Sequence, residues 1–105
     1  MDQHAAPTLT IIVPVKDEQD GIAPFVARVA PILDLVPTVA GWEILFIDDG
    51  STDATMAAIL AAHAQEPRVR AISLSRNFGK EAALSAGLDH ARGEAVIPID
   101  VDLQD

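Results

Sequence analysis

Short apolar runs alternate along this chain with longer segments in which apolar residues recur at helical spacing. The runs are rich in β-branched residues and predict strands buried on both faces, over residues 9–15, 43–47, 69–74 and 95–99. The segments between them predict three helices, over residues 20–35, 51–66 and 79–92. This alternation is typical of a parallel sheet with right-handed helical crossovers.

Four residues set the expected limits of these elements. Pro31 should kink the first helix or end it early, because its ring removes a backbone donor. Ser51 or Thr52 is expected to cap the second helix. Pro98 conflicts with a central strand, so it is expected near the end of the fourth strand.

Composition narrows the class of partner. The chain has 105 residues, 50% of them hydrophobic, which predicts one folded domain. Its formal net charge of −9 argues against nucleic acid and anionic membrane surfaces as partners. A nucleotide diphosphate can still bind if a divalent cation lies between the negative groups. The chain has no cysteine, which excludes disulfides and thiolate metal sites, and its first seven residues do not have the pattern of a signal peptide.

Polar residues follow every predicted strand at its carboxyl end. In open α/β sheets ligands bind at this edge, in the crevice where the strand order reverses. The pattern favours the strand order 3-2-1-4 with helices on both faces. The crevice then opens between the first and fourth strands, and residues 14–18 face residues 100–105.

The acidic segment after the fourth strand is the clearest candidate for chemistry. In extended chain, Asp100, Asp102 and Gln104 point to one side, while Val101 and Leu103 point to the other. Oxygen ligands of this kind suit a hard cation such as Mg²⁺ or Mn²⁺, with phosphate oxygens or water completing the shell. The alternative is an acidic, solvated strand end. Alignment with three other polar strand ends favours the metal site.

Two further groups are candidates for ligand contacts. Asp48 and Asp49 end a buried strand, and one of them is predicted to accept hydrogen bonds from a ligand, although the sequence that follows is also ordinary turn and cap chemistry. Arg76 and Lys80 are natural phosphate partners on an acidic chain, or else they belong to a solvated loop.

Together these segments resemble the family-2 glycosyltransferases of the GT-A fold, and most closely the polyprenyl-phosphate glycosyltransferases. The resemblance covers nearly the whole chain. It rests on residues 13–18 (VPVKDE), 48–53 (DDGSTD), 75–84 (SRNFGKEAAL) and 99–105 (IDVDLQD). It implies a Rossmann-like α/β/α fold of three layers, of which this chain is the nucleotide-binding half.

The resemblance also implies roles for individual residues. Asp100 and Asp102 are the catalytic candidates and would hold the diphosphate through the metal, with Asp102 and Gln104 as direct ligands. One departure from the family pattern is Lys16, which stands where many relatives carry an aromatic residue. The predicted substrate-binding residues are Pro14, Lys16, Glu18, Asp48, Asp49, Arg76, Lys80 and Val101.

The implied reaction moves a hexose from a UDP- or GDP-hexose to an undecaprenyl or dolichyl phosphate, with inversion. The resemblance places residues 1–105 as the N-terminal donor-binding part of a longer enzyme, cut off after the acidic motif. That enzyme is expected at the cytoplasmic face of a membrane, which it contacts through regions beyond this chain, and homo-oligomers are possible. The chain itself is expected to be soluble and cytoplasmic.

Other functions remain open on the sequence. The chain could be a non-catalytic nucleotide-binding module, or belong to a family-2 enzyme with a soluble acceptor. A receiver-like signalling domain is also an acidic α/β fold, but it should carry an acidic pair after its first strand. Here that strand ends in Pro14, Val15 and Lys16, so the receiver ranks last.

Overall fold

The structure is a computed structural model that describes residues 7–37 and 39–102. Four parallel strands form one sheet in the order β3-β2-β1-β4, as the sequence predicts. The elements, in chain order, are β1 (Leu9–Val15), α1 (Ile22–Leu35), β2 (Trp42–Asp48), α2 (Thr55–Gln65), β3 (Val69–Ser73), α3 (Lys80–His90) and β4 (Ala95–Pro98).

Helices cover both faces of the sheet, which confirms the predicted three layers. The face under α1 and α2 holds the larger apolar cluster, where Phe25 and Phe46 meet edge to face with ring centroids 5.8 Å apart. The other face packs against α3 through a smaller cluster that includes Ile12 and Ala83. At Gly87 an added Cβ would lie 2.7 Å from Ile12 Cγ2, so glycine lets α3 approach the sheet closely.

Two expectations about individual residues at the helix ends are wrong. Helix α1 runs through Pro31 and ends at Leu35, the predicted limit, so Pro31 does not end it early. Pro31 is exposed, while Val29 and Leu33 on either side of it are buried in the core and hold this last turn in place. Helix α2 begins only at Thr55 and has no side-chain cap, so neither Ser51 nor Thr52 caps it.

A buried carboxylate organises the amino edge of the sheet, where the strands begin. Glu43 is 1% exposed and accepts hydrogen bonds from Thr10 Oγ1 (2.6 Å), Arg70 Nη1 (2.7 Å) and the Arg92 backbone N–H (2.8 Å). Burial raises the pKa of Glu43, but these donors outweigh it and leave the pKa below its usual value. This cluster of Thr10, Glu43, Arg70 and Arg92 ties three strands to the end of α3.

At the carboxyl edge, the strands end at different heights. Val15, Asp48 and Ser73 lie in register at the ends of β1, β2 and β3. Strand β4 pairs with β1 only as far as Pro98, opposite Ile12, rather than reaching residue 99 as predicted. The Ile99 N–H still donates to the Ile12 carbonyl at 2.9 Å, so Pro98 lies at the strand end that the sequence predicts for it, and the chain turns only after residue 100. The short fourth strand leaves an opening beside the end of β1.

No helix in the described part of the chain is long and apolar enough to cross a membrane.

Candidate functional site

A cavity of about 360 Å³ occupies the opening between the ends of β1 and β4. Four residues from the end of β1 and the segment after it line this cavity together with residues 100–102, as the sequence predicts for a crevice at the switch in strand order. The loop before α3 supplies a third side. The lining residues are Pro14, Val15, Lys16, Glu18, Asp49, Asn77, Gly79, Lys80, Asp100, Val101 and Asp102.

The acidic segment turns instead of staying extended. Asp100 follows β4 without regular structure, and Val101 and Asp102 lie in a turn. Val101 is buried and belongs to the larger apolar cluster, where its Cγ2 lies 3.5 Å from the place a Cβ would take on Gly21. Val101 therefore anchors the turn in the core between two aspartates of the pocket wall.

A lysine and an aspartate form an ion pair across this wall. Lys80 Nζ lies 2.8 Å from Asp100 Oδ1, and both side chains reach solvent. Lys80 is the first residue of α3, so the helix brings its cation to the acidic turn. The structure thus brings the predicted phosphate partner next to a predicted metal carboxylate.

The pocket offers part of a metal site. Asp100 and Asp102 both line it, and carboxylate oxygens are the donors that Mg²⁺ and Mn²⁺ prefer, so these residues fit such a cation. The third predicted ligand, Gln104, lies outside the described residues. Within residues 7–37 and 39–102, no group of three or more His, Cys, Asp or Glu side chains is placed to hold a metal.

The two adjacent aspartates at the end of β2 have different surroundings. Asp49 lines the pocket, is buried, and accepts backbone N–H groups of Phe78 (2.8 Å) and Gly79 (3.0 Å) on its two carboxylate oxygens. Asp48 is also buried but is not a lining residue, and its Oδ1 accepts the Ser51 N–H at 3.0 Å. Asp49 thus fixes the loop before α3 against the end of β2.

Gly50 lets that loop come close. Its φ of 73° lies in the left-handed region, and an added Cβ would lie 2.4 Å from Asn77 N and 2.5 Å from Arg76 C. Only glycine fits between the end of β2 and the backbone of residues 76–77. The Asp-Asp-Gly sequence therefore forms a turn and also allows close packing against residues 76–77.

The sequence predicts that Arg76 contacts the ligand, but its neighbour Asn77 is the residue that lines the pocket. Arg76 is exposed and is not a lining residue; its guanidinium carbon lies 4.9 Å from the centre of the Phe78 ring. Asn77 lines the pocket, and its Oδ1 accepts the Gly79 N–H at 3.0 Å. The signal that could have found it is the Asn-Phe-Gly turn, in which an asparagine side chain bonds the backbone two residues on.

The segment after β1 carries a charged pair at the pocket. Lys16 Nζ lies 2.8 Å from Asp17 Oδ2, and this hydrogen bond raises the pKa of Lys16. The bonds from Lys16 and from the Thr52 backbone N–H lower the pKa of Asp17 to about 2. Glu18 lines the wall, and its backbone N–H donates to Thr55 Oγ1 at 2.9 Å. The Asp17 carboxylate and the Lys16 ammonium are therefore held charged at neutral pH.

The sheet order and the helices on both faces have the architecture of the GT-A fold, with the polar crevice at the point where the strand order reverses. The structure superposes on a mannosyltransferase from Pyrobaculum calidifontis in complex with GDP-Man and Mn²⁺, with a TM-score of 0.79 and 28% identity over 96% of this chain and 29% of that chain. It also superposes on TarS from S. aureus in complex with UDP-GlcNAc, with a TM-score of 0.75 and 25% identity over 90% of this chain and 26% of that chain.

The sequence comparison specifies the family. Residues 10–105 match the model of glycosyl transferase family 2, and the chain belongs to this family. A bactoprenol glucosyl transferase of Shigella phage SfV is 52% identical over 97 residues, which are 92% of this chain and 31% of that protein. The chain therefore spans about a third of the length of the relatives it matches.

Proposed function

We propose that this chain is the donor-binding part of a longer glycosyltransferase that moves a hexose from a UDP- or GDP-hexose to a polyprenyl phosphate. The observation that carries the proposal is the pocket in which Lys80, Asp100 and Asp102 meet Glu18 and Asp49. It lies where α/β sheets bind nucleotides, in a chain of family 2. The bactoprenol relative supports a lipid-phosphate acceptor.

The nucleoside would lie along the end of β1. Pro14 and Glu18 supply one wall, and Asp49 shapes the opposite wall by holding the backbone of Phe78 and Gly79. Because Asp49 already accepts two N–H groups of its own chain, its main task is to keep the pocket open in the right shape. Glu18 is then the better acceptor for a ribose or base donor, with Lys16 beside it.

The diphosphate would lie between Lys80 and the acidic turn. Lys80 can exchange Asp100 for a phosphate oxygen, because the pair is exposed and worth little by itself. Asp100 and Asp102, with Gln104 beyond the described residues, would hold Mg²⁺ or Mn²⁺. When bound, that cation would offset the negative charge that develops on the leaving diphosphate.

The proposed transfer needs no strong protein base to deprotonate the acceptor. A phosphate monoester has a second pKa of about 6, so the acceptor is largely a dianion at neutral pH. Its oxygen would form the new bond to the anomeric carbon while the bond to the nucleoside diphosphate breaks, with inversion. The chain's own part is to orient the donor and to balance charge at Lys80, Asp100 and Asp102.

The acceptor site would lie in the rest of the longer protein, as would any membrane contact. A polyprenyl phosphate places the reaction at a membrane surface, and a nucleotide sugar places it on the cytoplasmic face. The proposal covers residues 1–105 as the donor half of that enzyme, and a homo-oligomer is compatible with it.

Calorimetry on the chain tests the donor and the metal together. UDP and GDP are titrated into the chain with Mg²⁺, with Mn²⁺ and with EDTA. We expect one nucleotide to bind, with at least tenfold higher affinity when the metal is present. Asp102→Asn should remove most of this metal-dependent gain, whereas the control Asp89→Asn, on the exposed surface of α3, should keep it. Equal affinity with metal and with EDTA would refute the metal bridge, and no binding would refute the donor site.

A further inference from the structure

Hydrogen bonds in both directions join the loop after β1 (residues 16–21, the β1 loop) to the loop after β2 (residues 49–54, the β2 loop). Asp17 lies at the centre of this junction. Its backbone N–H donates to Ser51 Oγ at 2.8 Å, while its Oδ1 accepts the N–H groups of Thr52 (2.7 Å) and Asp53 (3.3 Å). One residue therefore ties the β1 loop to the β2 loop through both its main chain and its side chain.

The backbone of Asp17 is in an unusual conformation. Its φ of 54° makes it the one non-glycine residue with positive φ in the described part of the chain. Side chains disfavour this region, and aspartate and asparagine tolerate it best because they bond to nearby backbone groups. The bonds from the β2 loop are what hold Asp17 in this conformation.

This conformation separates Asp17 from its neighbours in space. Lys16 and Glu18 line the pocket, whereas Asp17 does not and binds the β2 loop instead. The chain bends at this left-handed residue, and the side chains on either side of it, Lys16 and Glu18, both line the pocket.

Asp17 also fixes the charge beside it. Its Oδ2 accepts Lys16 Nζ at 2.8 Å, and both side chains remain partly exposed. The low pKa of Asp17, about 2, keeps the carboxylate ionised at any pH at which the protein would work. The Lys16 ammonium is therefore held at the pocket rim by a permanent negative charge.

We propose that Asp17 is a positioning residue for the nucleotide: it holds Lys16 and Glu18 on the pocket wall by locking the β1 loop onto the β2 loop. Asp17 itself does not touch the ligand. The inference rests on the proposed function, because it presumes that a nucleotide occupies this pocket. A purely structural tie would stabilise the fold without changing affinity.

Binding of UDP and GDP in the presence of Mn²⁺ separates the two roles. Asp17→Ala should weaken binding by about tenfold, the cost of ordering two side chains on binding. Asp17→Asn should recover part of that loss, because asparagine tolerates positive φ and can accept the Thr52 N–H, but it cannot hold the Lys16 charge. Asp17→Gly should stay as weak as alanine, since it relieves the strain without restoring the bonds.

Asp34 provides the matched control. It is also an exposed aspartate that bonds two groups, Trp42 Nε1 at 2.9 Å and Arg68 Nη1 at 3.0 Å, but it lies at the amino edge of the sheet. Asp34→Ala should change the urea midpoint about as much as Asp17→Ala does and leave nucleotide affinity unchanged. Amide hydrogen exchange should become faster at Thr52 and Asp53 in Asp17→Ala alone.

The outcomes are distinct. Affinity in Asp17→Ala equal to that of the unsubstituted chain would overturn the inference and leave the proposed function standing. If Asp17→Ala does not fold, unchanged affinity in Asp17→Asn would overturn it equally. Absence of binding by the unsubstituted chain would overturn the proposed function and this inference with it. The graded order of aspartate, asparagine and alanine, with unchanged Asp34→Ala, would support it.

Discussion

Charged side chains have different surroundings at the two edges of the sheet. At the amino edge, Glu43 is 1% exposed and accepts donors from Thr10, Arg70 and Arg92. At the carboxyl edge, Asp100 pairs with Lys80 on a wall open to solvent, where the two side chains are 31% and 62% exposed. A buried carboxylate with fixed partners serves the fold, whereas an exposed pair beside a cavity can change partners.

Asp49 shows how the carboxyl edge combines these two uses. It is buried like Glu43, yet it lines the pocket, and its partners are backbone N–H groups rather than arginines. Its bonds fix a loop, and the loop forms a wall. The comparison therefore predicts that substitutions at the amino edge change stability alone, whereas those at the carboxyl edge change ligand affinity.

The largest stability effect is expected for Glu43→Ala. Removing this carboxylate leaves the Thr10 hydroxyl and the Arg92 N–H without their acceptor and leaves Arg70 without its ion-pair partner, which should cost about 3 kcal/mol. Urea denaturation measures the loss, and nucleotide affinity per folded molecule should not change.

A matched glutamate–arginine pair provides the control for this prediction. Glu66 bonds Arg68 at 2.7 Å nearer the surface, so Glu66→Ala should cost less than about 1 kcal/mol. Equal losses in the two variants would show that the Glu43 cluster is no better protected from solvent than a surface pair. A loss of affinity in Glu43→Ala would break the division between the two edges.

The fold could be predicted because its signals are local. Buried β-branched runs mark the strands, helical spacing marks the crossovers, and parallel strands bring their carboxyl ends to one edge. The Glu43 cluster could not be predicted in this way. Thr10 and Glu43 lie inside apolar runs, and the bonds that satisfy them join residues 27 to 83 positions apart.

The segments that line the pocket could be predicted from the strand ends, but the loop conformations could not. The pocket is lined by residues from the segments that follow β1 and β4 and from the start of α3, and these include Lys16, Glu18, Lys80, Asp100 and Asp102. Which neighbours turn inward depends on local backbone geometry. That geometry puts Asn77 on the wall and leaves Arg76 outside it, and only the Asn-Phe-Gly turn in the sequence points to Asn77.

The next largest effect is expected for Gly50→Ala, which should destabilise the chain by about 2 kcal/mol. The added methyl group would meet the backbone of residues 76–77 at 2.4 to 2.5 Å, and alanine disfavours the φ of 73°. Moving that loop should also weaken nucleotide binding, which distinguishes this variant from Glu43→Ala.

Gly41→Ala is the control for Gly50→Ala. A Cβ there would lie 3.6 Å from Pro7 Cα, an ordinary contact, and its φ is not positive. Its stability should stay within about 0.5 kcal/mol of the unsubstituted chain. If Gly50→Ala unfolds at the same urea concentration as Gly41→Ala, the loop after β2 does not pack closely against residues 76–77.

A smaller effect is expected from acid at Asp17. Its pKa is lowered from 3.8 to about 2 in the folded chain, so its bonds stabilise the fold fully above about pH 4 and are lost as pH falls toward 2. The difference in urea midpoint between the unsubstituted chain and Asp17→Asn should therefore be constant from pH 7 to 5. It should shrink as the pH falls toward 2. A difference that stays constant down to pH 2 would show that the carboxylate charge of Asp17 contributes nothing to stability.

The smallest stability effect is expected at Lys80, where the affinity effect should be large. The exposed pair with Asp100 contributes less than about 1 kcal/mol, and a cation in the first turn of α3 is opposed by the helix dipole by a similar amount. These terms nearly cancel, so the free energy of unfolding of Lys80→Met should stay within about 0.5 kcal/mol of that of the unsubstituted chain.

The same variant should bind UDP or GDP about tenfold more weakly, because a charge-assisted bond to the diphosphate is lost. Arg76→Met is the informative comparison, since Arg76 stacks on Phe78 away from the pocket wall and its loss should leave affinity nearly unchanged. Urea denaturation of the two variants tests the stability prediction, and calorimetry tests the affinity prediction. Weaker binding in Arg76→Met than in Lys80→Met would mean that the diphosphate lies over the loop before α3 rather than between Lys80 and the acidic turn.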